Sequence, residues 1–210
     1  MYTLYYSPGA VSMVSHMIME ELGVPFEAVM IDLAAKAHHD PAYLAINPKA
    51  KVPALRTPEG ILTENVAILE TLLDRHGDGS LLARPGTMAR ARTMESIAFL
   101  ASGIHPLMNR FFHAEDFATE AAMQEAVKRY AIEKLVAWFH EENAKLTGDW
   151  WSGDASPTVA DHYFAVVARW GRWFDPPATR MPNIEAFLHR MAARPAVQRA
   201  LAREGNSLFS

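Results

Sequence analysis

The chain contains no cysteine among its 210 residues. It therefore has no thiol of its own that could form a disulfide or act as a thiolate nucleophile. Any thiol chemistry in its site must use a thiol that a ligand brings. The absence of cysteine also removes the usual sequence indication of the redox compartment.

Long apolar runs and blocks of one charge are missing as well. No stretch approaches the roughly 18 uninterrupted apolar residues that a membrane span needs. Residues 1–5 lack the basic region and apolar core of a signal peptide. The basic residues are scattered, and the formal net charge of −4 argues against a nucleic-acid partner. We therefore expect a cytoplasmic protein that binds neither membranes nor nucleic acid.

The first third of the chain alternates strand and helix patterns, and half of all residues are hydrophobic, enough for a core. Composition and spacing predict strands at 2–6, 26–33, 52–56 and 61–63, and helices at 12–22 and 64–76. Ser12 would cap the first helix and Gly23 would end it. The strand–helix–strand start predicts parallel pairing, and residues 57–60 suit a hairpin turn. These patterns predict a mixed sheet with helices packed on it.

A segment rich in glycine and proline, residues 77–86, interrupts this alternation. Beyond it only helical patterns occur, at 87–112, 119–146, 158–174 and 183–194, with a short helix starting at Pro195. We therefore expect an α/β domain at 1–79, a linker at 80–86 and an all-helical domain at 87–210.

Two dipeptides in the α/β part carry candidate binding groups. A cis bond at Val52–Pro53 would turn the Val52 N–H and C=O outward for pairing with an extended peptide. The alternative is a trans proline at a strand edge. Glu64–Asn65 stands where a strand meets a helix, a place that favours an anion, although Thr63 or Glu64 could simply cap the helix.

Ser12 and His105 are the candidate reactive side chains. The Ser12 hydroxyl could donate to an anion at the helix start or act as a plain cap. No Gly-x-Ser-x-Gly motif surrounds it, so an activated serine nucleophile is not expected. His105 precedes Pro106, which should kink its helix, and suits a structural or a catalytic role equally. The pair His38–His39 has no further ligand at metal spacing, so we predict no metal site.

Two features of the helical part favour structural roles. Thr158 with Asp161 has the spacing of a capping box. The aromatic side chains recur at helical spacing and should be mostly core, with one or two lining an apolar pocket. These aromatic residues are Phe111, Phe112, Trp170, Trp173 and Phe174.

Taken in order, the motifs resemble those of the glutathione transferases over essentially the whole chain, and most closely those of the bacterial class beta branch. The matching stretches are residues 6–12 with Ser15 and His16, then 47–55 (Asn-Pro-Lys-Ala-Lys-Val-Pro-Ala-Leu), 63–68, 158–161 and 190–195. The resemblance implies a thioredoxin-like N-terminal domain, an all-helical C-terminal domain and a homodimer.

The resemblance also implies a glutathione site in which the Val52–Pro53 bond is cis and Val52 pairs with the cysteinyl backbone. Glu64 and Asn65 would hold the γ-glutamyl end. The implied glutathione contacts are Ala10, Lys36, Lys51, Val52, Pro53, Glu64 and Asn65, with the two lysines facing the glycyl carboxylate. Asp161 would be structural.

The chain departs from its branch at Val11, where the branch typically carries cysteine. A mixed disulfide with glutathione cannot form there, so the branch's redox side-activity should be absent. Ser12, His105 and, less directly, Tyr6 remain as groups that could stabilise the glutathione thiolate. The expected activity is attack of that thiolate on a hydrophobic electrophile, as in detoxification. The pocket for that electrophile would be lined by Val11, Phe111, Phe112 and Trp170.

Two other functions stay open at this point. Because Val11 replaces the usual thiol, the chain could bind glutathione or carry ligands with little catalysis. It could also be a specialised glutathione-dependent isomerase or dehalogenase, whose N-terminal half looks alike.

Overall fold

The computed structural model describes residues 1–209, which form two compact units. The first, here called the sheet unit, contains Met1–Arg90 and Ala192–Ser207. The second, the helical unit, contains Ala91–Met191 and residues 208–209.

A four-stranded mixed sheet organises the sheet unit, in the order β2-β1-β3-β4. The strands are β1 Tyr2–Tyr6, β2 Phe26–Met30, β3 Ala54–Thr57 and β4 Gly60–Thr63. Strands β1 and β2 run parallel, as a helical crossover requires, while β3 pairs antiparallel with both β1 and β4. The predicted thioredoxin-like α/β arrangement, with a tight hairpin between β3 and β4, is confirmed.

The described residues form nine α-helices. They are α1 Ser12–Leu22, α2 Pro41–Leu44, α3 Asn65–His76, α4 Met88–Phe99, α5 His105–Phe112, α6 Ala121–Lys145, α7 Val159–Trp170, α8 Pro182–Ala192 and α9 Pro195–Glu204. None of the helices within residues 1–209 is long and apolar enough to cross a membrane.

Several bounds in the sheet unit differ from the sequence prediction. Strand β3 begins at Ala54 rather than at residue 52. Strand β2 ends at Met30 rather than continuing to residue 33, because Asp32 starts a turn in which its carboxylate accepts the Ala35 N–H. A 3-10 helix, Ala37–His39, and the short α2 follow in a region for which the sequence predicted no helix.

Helix α1 lies at the centre of the sheet unit and packs against β1, α3 and α9. Its first nine residues are all buried, because neighbours cover the helix on several sides. One core cluster joins Leu4, Met19, Leu55 and Ile68. This burial fixes the start of α1 relative to the sheet, and the candidate site lies at that start.

The helical unit is organised around α7, all twelve residues of which are buried. The predicted helix at 87–112 is interrupted by a π-helical turn at Leu100–Ile104, directly before His105 and Pro106. Pro106 has no N–H and its ring clashes with the carbonyl four residues earlier, so the backbone must widen there. The irregularity expected at His105–Pro106 is therefore this π-helical turn.

Candidate functional site

The segment around Val52 presents backbone groups without partners. The Val52–Pro53 bond is cis, as the resemblance implied. The preceding Lys51 carbonyl accepts hydrogen bonds from the Tyr43 hydroxyl at 2.6 Å and from Asn47 Nδ2 at 2.7 Å. Within residues 1–209, no hydrogen bond occupies the Val52 N–H or C=O. A backbone segment that is fixed in place and has an N–H and a C=O without hydrogen bonds can pair with an extended peptide by strand addition.

Tyr43 and Asn47 are supporting residues that the sequence reasoning missed. Tyr43 is buried, and burial raises the pKa of its hydroxyl. Asn47 also accepts the Lys49 N–H through Oδ1 at 3.1 Å, closing a turn. The Asn-Pro dipeptide at 47–48 is the one sequence signal of this turn. Together these side chains keep the Lys51–Val52 backbone in place.

The start of α3 is open in a similar way. Glu64 precedes the helix with φ +72°, a conformation that side chains other than glycine rarely adopt. No side chain caps this helix start, and among the described residues the N–H groups of residues 65–67 have no partner. Lys49 Nζ bonds Glu64 Oε1 at 2.6 Å and Thr63 Oγ1 at 3.1 Å. Open N–H groups at a helix start favour an anion.

Asn65 joins α3 to the start of α1. Its Oδ1 accepts the Ser15 hydroxyl at 2.5 Å, and its Nδ2 donates to the Val11 carbonyl at 3.1 Å. The side chain is buried, so these bonds are shielded from water. Asn65 therefore brings the open start of α3 next to Val11 and Ser12.

Ser12 is fully buried and does not cap α1, contrary to the sequence prediction. Its hydroxyl accepts the Ser7 N–H at 3.1 Å and donates to the Ser7 carbonyl at 3.2 Å. The Ser7 backbone thus engages the Ser12 hydroxyl both as a donor and as an acceptor. Val11 occupies the cap position, and no described residue pairs with the N–H of Val11 or Ser12. Ala10, just before them, donates its N–H to the Ser7 carbonyl at 3.1 Å.

Tyr6 lies below this helix start, in the core cluster with Leu4 and Leu55. Burial, with a contribution from the negative charge of Glu204, raises the pKa of Tyr6. Glu204 itself bonds the Gly9 N–H and His16 Nδ1, both at 2.9 Å. Sequence reasoning did not find Glu204, because no local pattern signals a contact between residues 188 positions apart.

The candidate residues of the helical unit come together around Trp170. The His105 ring lies 5.1 Å from the Trp170 ring, and the Phe112 ring lies 6.4 Å from it. Phe111 contacts Phe112 at 4.9 Å between ring centroids. Trp170 is buried, whereas Phe112 is partly exposed. This aromatic cluster contains every predicted pocket residue except Val11, which belongs to the sheet unit.

Asp161 is structural, as predicted. It is fully buried, and its carboxylate accepts the N–H groups of Thr158 at 2.7 Å and Ser152 at 3.0 Å. Thr158 Oγ1 accepts the Ala160 N–H, which completes a capping box. In the described part of the chain, no cluster of three histidine or acidic side chains could hold a metal ion.

Comparison with known proteins identifies the fold and the family. Residues 2–80 match the glutathione S-transferase N-terminal domain, and residues 98–195 match the C-terminal domain. Glutathione S-transferase GstA of Escherichia coli O157:H7 is 35% identical, covering 96% of this chain and 98% of the relative. A maleylacetoacetate isomerase of Rhizobium meliloti is 34% identical, covering 85% of this chain and 84% of the relative.

Solved structures agree with this assignment. A glutathione transferase homologue from Sulfitobacter with bound glutathione superposes with a TM-score of 0.86 and 30% identity, covering 97% of this chain and 98% of that one. A bacterial beta class glutathione S-transferase from Sphingomonas chungbukensis gives a TM-score of 0.78 and 32% identity, covering 97% and 98%. With both domain matches and relatives of this similarity over nearly its whole length, the chain belongs to the glutathione S-transferase family.

Proposed function

We propose that the chain is a glutathione transferase that binds glutathione in its sheet unit and activates the thiol to attack a hydrophobic electrophile. One observation carries this proposal: three unpaired backbone segments adjoin each other. The starts of α1 and α3 are joined by Asn65. The loop before Val52 is joined to the start of α3 by Lys49.

The cysteinyl and γ-glutamyl parts of glutathione each have a matching group in the sheet unit. The cysteinyl backbone would pair with Val52 as an added strand. The γ-glutamyl carboxylate would accept the open N–H groups of α3, where the helix dipole favours negative charge. The Glu64 carboxylate would bind the γ-glutamyl amino group in place of Lys49. That exchange costs little, because the Lys49–Glu64 ion pair is exposed and such pairs contribute at most about 1 kcal/mol.

Thiol activation would occur at the start of α1. A free thiol has a pKa of about 8.5, and lowering it by about two units requires about 3 kcal/mol of differential stabilisation. The N–H groups of Val11 and Ser12, with the helix dipole, supply that order of energy. The Ser12 hydroxyl could add to it only by exchanging its bond with the Ser7 carbonyl. For this reason we infer that the backbone is the main donor and the hydroxyl the auxiliary one.

His105 and Tyr6 are the other candidate donors. Tyr6 is a poor acid here, because its pKa is raised. His105 stands among the aromatic side chains that we propose bind the electrophile: Phe111, Phe112 and Trp170. Its imidazole suits a role in placing a polar group of the electrophile.

The decisive experiment measures conjugation of glutathione to a panel of aromatic and alkyl electrophiles. We expect turnover with at least one hydrophobic electrophile, and a thiolate absorbance of bound glutathione that titrates below pH 8.5. In Ser12→Ala, the thiol pKa should change by less than about one unit, because the N–H groups remain. Tight glutathione binding without turnover on any electrophile would instead favour a binding or carrier protein.

A second candidate activity is glutathione-dependent isomerisation of a cis alkene conjugated to a carbonyl group. The similarity to a maleylacetoacetate isomerase favours it. Isomerisation uses the same thiolate but releases it unchanged, so glutathione is not consumed. Product formation with constant thiol concentration identifies this activity.

We also infer that the chain acts as a homodimer, as the resemblance to the family implied. Light scattering at the concentrations of the activity assay measures the mass in solution. A mass twice that of the chain agrees with the inference.

A further inference from the structure

A groove of about 280 Å³ lies on the surface of the helical unit, between the end of α5 and the first half of α6. It is lined by Arg110, Phe117, Ala126, Val127 and Tyr130. Phe117 and Tyr130 are 47% and 53% exposed, although both are large aromatic residues. Two exposed aromatic rings beside the smaller side chains of Ala126 and Val127 form an apolar surface suited to a ligand.

Arg110 gives this groove a cation that has no acidic partner. Its Nη1 donates to the Pro106 carbonyl at 2.9 Å, and the guanidinium lies over the Phe117 ring, 5.1 Å from the ring centroid. Among residues 1–209, no carboxylate pairs with Arg110, and its Nε and Nη2 donate to no other group. Pro106 and Phe117 therefore hold the guanidinium and leave most of its donors available. A planar guanidinium of this kind suits two-point binding of a carboxylate.

Lys134 adds a second positive charge beside the groove, one helical turn beyond Tyr130. Its Nζ lies 5.6 Å from the centroid of the Tyr130 ring. Lys134 contacts Glu133 at 3.4 Å, but both side chains are exposed, so this ion pair is weak. Within the described part of the chain, no acidic residue lines the groove. Its charges therefore favour an anionic ligand.

The groove is separate from the aromatic cluster around Trp170. None of the residues that line it belongs to that cluster, which contains His105, Phe111, Phe112 and Trp170. Small-molecule sites usually have volumes of about 300–1,000 Å³, so this groove is near the lower limit. It therefore suits a ligand of one or two fused rings.

We propose that this groove is a second ligand site, which binds a small aromatic carboxylate. The aromatic body of the ligand lies against Phe117 and Tyr130, and its carboxylate accepts the available N–H groups of Arg110. Binding is reversible and forms no covalent bond. The site goes beyond the proposed function, because neither glutathione nor the electrophile occupies it.

The experiment compares β-naphthoate with the neutral β-naphthamide, which has nearly the same shape. Calorimetry at neutral pH measures both Kd values, with the proposed glutathione and electrophile sites blocked by saturating S-hexylglutathione. In the unaltered protein we expect the acid to bind about fivefold more tightly than the amide, since only the acid forms an ion pair with Arg110.

Variants then assign the two parts of the ligand to residues. Arg110→Gln should bring the two affinities within about twofold of each other, because it removes the charge. The exposed control Arg129→Gln, on α6 outside the groove, should keep the fivefold ratio. Tyr130→Ala should weaken both ligands by a similar factor, because it removes an aromatic wall and leaves Arg110 in place. A general loss of stability affects acid and amide alike, so it does not change their ratio.

Three results would overturn the proposal. Equal affinities in the unaltered protein, or a fivefold ratio that persists in Arg110→Gln, would show that Arg110 does not bind the carboxylate. Displacement of β-naphthoate from the unaltered protein by S-hexylglutathione would place the acid in the electrophile pocket instead. A mass that falls by half in Tyr130→Ala, measured by light scattering, would show that the groove is an interface between two copies of the chain.

Discussion

The starts of α1 and α7 look alike in sequence and differ in the structure. Both follow a turn containing proline, and a serine or threonine at each predicts a cap. At α7, Thr158 and Asp161 close the helix start with a buried capping box. At α1, the Ser12 hydroxyl bonds the Ser7 backbone instead, and the N–H groups of Val11 and Ser12 have no partner among residues 1–209.

The start of α7 therefore stabilises the fold, whereas the start of α1 can bind a ligand. The closed start has used the Ala160 N–H and holds the Asp161 carboxylate beside the helix, so it disfavours an anionic ligand. An open start keeps donors and a positive dipole end, which favour an anion. In the sheet unit the start of α3 is also open, and a strained Glu64 precedes it. Strained residues are common at binding sites.

The largest effect on stability should come from a substitution that removes the capping box of α7. Asp161→Ala removes the acceptor of the buried Thr158 N–H, of the buried Thr158 hydroxyl and of the part-buried Ser152 N–H. Since each unsatisfied buried group costs about 1–3 kcal/mol, we expect the free energy of unfolding to fall by about 3 kcal/mol. Urea unfolding measures this, with the exposed Asp154→Ala expected to stay within about 0.5 kcal/mol. A loss below about 1 kcal/mol in Asp161→Ala would contradict the structural role.

A cysteine substitution at each helix start allows a direct comparison of α1 and α7. We expect Val11→Cys to form a mixed disulfide with oxidised glutathione at least about tenfold faster than Val159→Cys. An open helix start lowers the pKa of a thiol, whereas Val159 is fully buried next to a capped start. Mass spectrometry of the time course gives both rates. Equal rates would show that the open start has no electrostatic effect.

The smallest effect concerns the strain at Glu64. Glu64→Gly removes the side chain that disfavours φ +72°, whereas Glu64→Ala removes the carboxylate but keeps the strain. We expect the glycine variant to be more stable than the alanine variant by about 0.5–1 kcal/mol. The lost ion pair with Lys49 is common to both and exposed, so it cancels. Thermal unfolding of the two variants side by side measures the difference, and a less stable glycine variant would argue against strain.

Much of the fold could be predicted because its signals are local. The strand–helix–strand start, the hairpin at residues 57–60 and Gly23 at the end of α1 follow from spacing and turn chemistry. The glycine has φ +62°, as a left-handed helix end requires. The capping box at Thr158 was predictable for the same reason, since its members are three residues apart.

Contacts between distant residues could not be predicted in the same way. The pairing of Ser12 with Ser7 replaced the expected cap, because a turn placed a second backbone partner within reach of the hydroxyl. The Gly9 N–H donates to the Glu204 carboxylate across 195 positions, and no spacing rule signals this bond.

The sequence by itself determined which elements form, that any thiol in the site must come from a ligand, and which family motifs the chain carries. Those properties depend on residue type and on separations of a few positions. Only the tertiary structure decided which polar groups are used internally and which stay open at the starts of α1 and α3 and at Val52. The physical reason is that a hydrogen bond is satisfied by whatever the folded chain brings within about 3 Å, irrespective of distance along the sequence.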